Sequence, residues 1–362
     1  MSPSLVGFQI DPFQDLLIAV FMNTCPGDPG HSSCQVRPLS MTGGKHSSGA
    51  SESSCTLLGD YEEESIIHIN GDLVTILVQG LSVHQVIIVW DWKAAKLKTQ
   101  LHFTQVLIFD LAFLSDYLLC VLEDRFISGT TKQAALLVYD VKSTTAEIVL
   151  HDSNFVAAFL LPDCSDDVDI EHISLQVDLV PQSSSGGLAA ISLFGRYTGN
   201  GDGPAFRTLD IFVHSSFLVR CSEASYDRRR IIPWSEWGPF NTHAVSTTSS
   251  DYIEEQPISL SGLRASARST SESIVRVYDF DPLRIGRSRG EEEIMISDSC
   301  HVPPGTWNKD GISTHLPCLV SEVELPTTLR WWNPKYGMIC ELGLFSAIDD
   351  PSADVGFGWF GI

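Results

Sequence analysis

The stretch GDLVTILVQGLSVHQVIIVWDWKAAKLKTQL, residues 71–101, reads as three strands joined by two turns. Leu73 to Val78 is almost wholly apolar and rich in β-branched residues. Val86 to Trp92 is a second such run, with two isoleucines, two valines and two tryptophans. Runs of this length and composition suit strands covered by other parts of the chain. Gln79-Gly80-Leu81-Ser82 supplies the first turn, and Asp91 with Lys93-Ala94-Ala95-Lys96 turns the chain into Leu97 to Leu101.

The same pattern recurs outward from this stretch. Val89-Trp90-Asp91-Trp92-Lys93 has counterparts in Val138-Tyr139-Asp140-Val141-Lys142 and Val277-Tyr278-Asp279-Phe280-Asp281, and the first two aromatics lie 49 residues apart. In each, the aromatic is expected to pack between neighbouring sheets while the Asp accepts backbone N–H groups in the turn. An Asp also opens an apolar strand at Asp15, Asp72 and Asp116. The strand end in Trp-Asp followed by a basic, small-residue turn resembles a WD-repeat blade. Elsewhere short apolar runs alternate with Gly, Pro, Ser and Asp clusters, and helical periodicity is scarce. Leu5–Ile10 and Leu16–Met22 form a hairpin through Asp11-Pro12-Phe13-Gln14-Asp15; Phe155–Leu161, Ile173–Val180, Leu188–Phe194 and Phe206–Val219 supply further strands. The chain is therefore expected to be all-β, a WD-like β-propeller of roughly five to seven blades at about four strands each. Residues 1–345 form one such domain, with irregular loops at 45–54, 163–171, 246–256 and 264–273, and residues 346–362 form an unassigned tail.

Composition narrows the function. Hydrophobic residues make up 43% of the 362 and charged residues 19%, so a core is available. A net charge of −22 repels phosphate backbones and anionic membranes, which points away from nucleic acid and membrane partners. Arg228-Arg229-Arg230 is a short basic cluster that reads as a solvated turn. The nine cysteines contain no C-x-x-C pair and fall at irregular spacings, the pattern of reduced thiols in a cytoplasmic or nuclear protein. Leu16–Met22, seven apolar residues behind Asp15, is too short for a signal peptide, and no apolar run reaches the length of a membrane span.

Motifs that could carry chemistry lack their context. Gly286-Arg287-Ser288-Arg289-Gly290 matches the nucleophile elbow but has no alternating strand–helix framework around it. Asp163, Asp166, Asp167, Asp169 and Glu171 could gather calcium, yet they lack the glycine and terminal glutamate of an EF-hand loop and read as mutually repelling solvated carboxylates. The histidines show no zinc spacing, and Gly199–Gly203 lacks the lysine and helix of a phosphate loop. No catalytic, cofactor or metal residue is assigned, and no cofactor is expected. Ile231-Ile232-Pro233-Trp234-Ser235-Glu236-Trp237-Gly238-Pro239-Phe240-Asn241-Thr242-His243 is the most distinctive segment. It reads as a rigid, aromatic-rich entry into a strand. Trp234 and Trp237, with Trp331 and Trp332, are the candidate partner-binding aromatics; core packing is their other reading.

Ile10-Asp11-Pro12-Phe13-Gln14-Asp15-Leu16-Leu17, Trp90-Asp91-Trp92-Lys93, and Pro233-Trp234-Ser235-Glu236-Trp237-Gly238-Pro239 with Asn241-Thr242 together resemble a family of fungal F-box proteins whose C-terminal half is a degenerate WD-like propeller. Asp279-Phe280-Asp281-Pro282-Leu283 and Leu316-Pro317-Cys318 look like further family positions. The resemblance implies a non-catalytic substrate receptor whose propeller grips a target protein for a cullin-type ubiquitin ligase. No Leu-Pro-led F-box is found ahead of Asp11, so a ligase adaptor is an expected partner only where an F-box lies upstream. His243 stands where the family has an arginine. Two other readings are a ligand- or calcium-binding propeller enzyme, and a truncated fragment with too few blades to close.

Overall fold

A computed structural model describes residues 4–24, 32–42, 55–59, 61–80, 84–104, 106–127, 131–142, 148–151, 155–165, 167–178, 186–198, 205–224, 229–249, 258–268, 274–288, 295–324, 337–340, 343–348 and 356–361. Strands β1 (Ser4–Asp11), β2 (Leu16–Thr24), β3 (Ser32–Ser40) and β4 (Cys55–Gly59) make a four-stranded antiparallel meander. β5 (Tyr61–Asn70), β6 (Leu73–Gly80), β7 (His84–Asp91) and β8 (Lys96–Thr104) make the next, and β9 (Leu107–Phe113), β10 (Leu118–Ile127) and β11 (Thr131–Asp140) follow in a third sheet. β12 (Ile148–His151) then adds parallel to β8, and β13 (Ala157–Leu160) lies beside β11.

The chain continues through β14 (Val168–Val177), β15 (Leu188–Tyr197), β16 (Ala205–His214), helix α1 (Ser215–Glu223), β17 (Arg230–Ile232), helix α2 (Trp234–Asn241) and β18 (Thr242–Ser249). After these come β19 (Ser259–Ser261), β20 (Arg264–Arg268), β21 (Ile274–Asp279), helix α3 (Pro282–Ser288), β22 (Met295–Ser297), β23 (Cys300–Val302), β24 (Ile312–Thr314) and β25 (Cys318–Glu324). β26 (Gly337–Cys340), β27 (Gly343–Ile348) and β28 (Gly356–Gly361) form a last three-stranded sheet. Five sheets of four or five strands therefore stand among the described residues, each built round an antiparallel meander. The fold is all-β and made of propeller-like blades.

By internal packing the residues divide into two compact units. One holds Met1–Arg125, Ala135–Ala158 and Ser225–Arg230; the other holds Phe126–Ala134, Phe159–Ala224 and Ile231–Ile362.

In the first unit the period-two alternation of the strands decides which side chains share a core. Leu16, Ile18, Val20 and Met22 of β2 meet Val74, Ile76 and Val78 of β6 and Val86, Ile88 and Trp90 of β7 in one core. The register pairs Val74 with Trp90, Ile76 with Ile88 and Val78 with Val86, so like faces line up across the sheet. Each such side chain contributes about 1.5–3 kcal/mol by leaving water. The Asp11-to-Asp15 turn is a 3-10 turn: the Asp11 carboxylate accepts from Phe13 N and Gln14 N at 3.0 and 3.3 Å. Gln14 Nε2 also donates to Gly71 O at 2.8 Å, the carbonyl that Trp92 Nε1 reaches at 3.1 Å. This segment thus locks one meander to the next.

The aromatic-Asp strand ends behave alike. Trp90, Tyr139 and Tyr278 are buried. The carboxylates beside them accept from backbone N–H groups in the turn, Asp91 from Ala94 at 2.9 Å, Asp140 from Lys142 at 2.8 Å and Asp279 from Asp281 at 3.0 Å.

Several expectations are revised. Phe206–Val219 is not one strand: the chain turns helical at Ser215, whose N–H and Oγ both bond Gly187. Arg264–Arg268, expected within a loop, is β20, because Ala265 is small enough to pair opposite Tyr278 in the packed sheet. The 163–171 segment passes into β14 at Val168, where Glu171 pairs with Arg196 at 2.8 Å. The 246–256 segment belongs to β18 as far as Ser249. Residues 45–54 and 199–203 lie outside the described residues.

Candidate functional site

The segment expected as a stiff entry into a strand is helix α2, eight residues long and preceded by Pro233 in extended conformation. Proline there presets the backbone angle of the entry and forfeits no helical hydrogen bond. Pro239 inside the helix removes one N–H, and side chains hold the end of the helix: Asn241 Nδ2 donates to Trp237 O and Thr242 Oγ1 to Gly238 O, at 2.8 and 2.7 Å. Trp237 points inward. It is 1% exposed, donates from Nε1 to Leu160 O at 2.9 Å, and meets Phe159 edge-on with ring centres 5.5 Å apart. Trp234 lies edge-on to Trp237 at 5.0 Å, and its ring covers the backbone of Gly238. A Cβ at Gly238 would fall 2.3 Å from that ring, which is why glycine is needed there.

Of the four candidate tryptophans, Trp237 packs in the core, Trp234 is half-buried beside it, and Trp331 and Trp332 lie outside the described residues. The large hydrophobic residue that α2 presents to solvent is Phe240. It is 73% exposed and its ring stacks on His315 at 5.7 Å. Backbone bonds fix that pair, His315 N to Pro239 O at 2.8 Å and Leu316 N to Thr242 O at 2.9 Å. Ala244 N adds a bond to Thr314 Oγ1 at 2.9 Å. In the sequence Phe240 is less conspicuous than the tryptophans that precede it.

Under this rim lies a buried polar group. His243 sits near Tyr278 and Phe280, with ring centres 6.0 and 5.9 Å away, and its Nδ1 is 3.1 Å from Leu316 O. A carbonyl only accepts, so Nδ1 carries the proton and Nε2 is bare. Cys318 Sγ is 3.8 Å from Nδ1 and 3.7 Å from Nε2, placed evenly between the two nitrogens and not along either lone pair. Burial, followed by the charges of Cys300 and Asp279, pushes the Cys318 thiol up to about 12. Burial also lowers the His243 pKa, an effect that the Leu316 contact opposes. At neutral pH this is a neutral thiol beside a neutral imidazole, without the thiolate that nucleophilic chemistry requires.

The other motifs take structural places. Ser288 ends α3, whereas an elbow serine stands between strand and helix. Asp279 gathers Arg264 Nε at 3.1 Å and Arg284 Nη1, tying α3 to β21. Among the described residues no group of three or more His, Cys, Asp or Glu side chains could hold a metal ion, and no helix is long and apolar enough to cross a membrane.

No protein-family model and no curated protein matches the chain. Among solved structures it is similar to the C-terminal WD40 domain of Sif2, at 11% identity and a TM-score of 0.29, over 85% of this chain and 90% of that one. The WD-like character of the blades rests on their own geometry: sequential antiparallel meanders, buried aromatics at the strand ends and Asp side chains closing the turns.

Proposed function

We propose that the chain is a protein-interaction scaffold that offers the rim of α2, Phe240 stacked on His315, as an anchor for a protein partner. The supporting observation is a large aromatic left in water on a helix otherwise held rigidly in place. Trp237, Asn241, Thr242 and the His315 backbone fix the helix, and rigid aromatic anchors lose little entropy when they bind. Trp234, half-buried on the same helix, is a further candidate, as are Trp331 and Trp332 from the sequence alone. The net charge of −22 favours a basic partner surface. In its finer form the proposal is the target-binding half of an F-box substrate receptor, joined to a ligase adaptor where an F-box accompanies it.

Affinity capture from extracts of the cells that make the protein tests the reading. Phe240→Ala should lose about tenfold or more of each specifically retained protein, the effect of removing an anchor of more than about 1.4 kcal/mol. Equal retention by wild type and variant would refute the anchor. Adaptor recovered only by a form carrying an F-box would support the finer form; its absence even then would refute that form and leave the anchor standing.

A further inference from the structure

Asp210 is a carboxylate where a core residue belongs. It lies mid-strand in β16, is 6% exposed, and pairs in register with Ser192 on one side and Val245 on the other. Two residues along the same face, Phe212 joins the aromatic cluster with Tyr278 at 5.4 Å and Phe280 at 5.5 Å. This face is the joint between the sheet containing β14, β15, β16 and β18 and the sheet containing β19, β20, β21, β22 and β25, with Ala190, Ala265 and Cys318 in the same core. Among the described residues the carboxylate's hydrogen bond is the 2.8 Å one donated by Ser192 Oγ to Oδ1.

A buried carboxylate needs a cation or several N–H donors to remain charged. Among the described residues the groups around it supply neither. β18 brings His243, whose Nδ1 proton is directed to Leu316 O, and β16 itself brings His214, which burial and then Arg220 hold toward the neutral form. Tyr278 comes from β21, Cys318 from β25 and Cys300 from β23, and burial raises the pKa of all three, keeping them protonated. Among the described side chains of the facing sheet, Arg276 is engaged by Glu322 at 2.9 Å and Arg264 by Asp279, which also takes Arg284 of α3.

We propose that Asp210 makes this joint proton-responsive: on mild acidification it takes up one proton and holds the two sheets together more tightly. Burial, opposed by the Ser192 bond, pushes its carboxyl up to about 6, from 3.8 in an unfolded chain. Above about pH 7 the native state carries the full cost of an ionised buried group. That cost is relieved as pH falls through 6, and nothing further changes once the unfolded chain is protonated too. His243 and His214, both held neutral, act in the opposite direction below 6.5, so the wild-type profile mixes the two effects and a variant is needed to separate them.

The test compares wild type with Asp210→Asn, of the same shape and always neutral, by denaturant unfolding from pH 5 to pH 8. The ratio of their unfolding constants should change by about tenfold across that range, the variant gaining relative stability toward pH 8. A ratio that does not move with pH would overturn the proposal, however stable the variant is. Carboxyl carbon NMR of the wild-type protein, with Asp210→Asn used to assign the signal, gives a second reading that needs no unfolding. A midpoint near 6 that rises in Ser192→Ala supports the proposal; a midpoint near 4, or one indifferent to Ser192, overturns it.

Discussion

Replacing Trp237 by Ala removes the deepest contact of α2, and the structure fixes what that should cost. The ring is 1% exposed and stands against Phe159 and Trp234, so truncation forfeits its burial and leaves a cavity, together about 3–5 kcal/mol. It also deprives Leu160 O of its 2.9 Å donor, adding about 1 kcal/mol. The expected loss is about 4–6 kcal/mol. Trp237→Phe keeps a ring against Phe159 but loses the N–H and part of the volume, for about 1–2 kcal/mol. Urea denaturation followed by far-ultraviolet circular dichroism measures both, with Phe240→Ala as a control expected to stay within about 0.5 kcal/mol of wild type because its ring lies in water. A Trp237→Ala protein within about 1 kcal/mol of wild type would refute the inward placement. It would also return Trp237 to the residues available to a partner.

Gly238→Ala should cost about 2 kcal/mol or more, since its Cβ meets the Trp234 ring, and Trp234→Ala in the same chain should recover most of that; a double-mutant cycle without coupling would contradict the packing. Asp279→Ala should cost about 2 kcal/mol through its turn N–H and two arginines, read from denaturant midpoints, and a cost under about 0.5 kcal/mol would contradict that role. His243, held neutral by burial, contributes stability above pH 6.5 that is lost as pH falls below it, because the unfolded chain then takes up the proton first. His243→Asn should flatten the acid limb of the stability profile by up to about 1.4 kcal/mol per pH unit, and an unchanged slope would contradict the neutral assignment.

The blades were legible where local chemistry and tertiary packing agree. Val74 to Val78 and Val86 to Trp90 are apolar throughout, and Asp91, Asp140 and Asp279 close turns by bonds that span two or three residues, so pattern alone locates them. Helix α2 was hidden because its bonds are not local. Two prolines and a glycine within eight residues disfavour a helix, and it forms because Leu160, Phe159 and the His315–Leu316 backbone hold it from outside. β20 was missed for the opposite reason: its alanines make no apolar stripe, and their value is the space they leave for Tyr278. Asp210 in the run Phe206-Arg207-Thr208-Leu209-Asp210-Ile211 reads as an outward position, and its burial becomes visible only when the second sheet is placed over it.

The claim that the α2 rim receives a protein partner is tested most directly by placing a photo-crosslinking phenylalanine analogue at position 240 in the cells that make the protein. As a control the analogue replaces Phe13, which is fully open to solvent on a tight turn of the other unit. The account predicts a discrete adduct of defined mass from position 240 and none of that mass from position 13. No adduct at 240, or the same adducts at both positions, would contradict it.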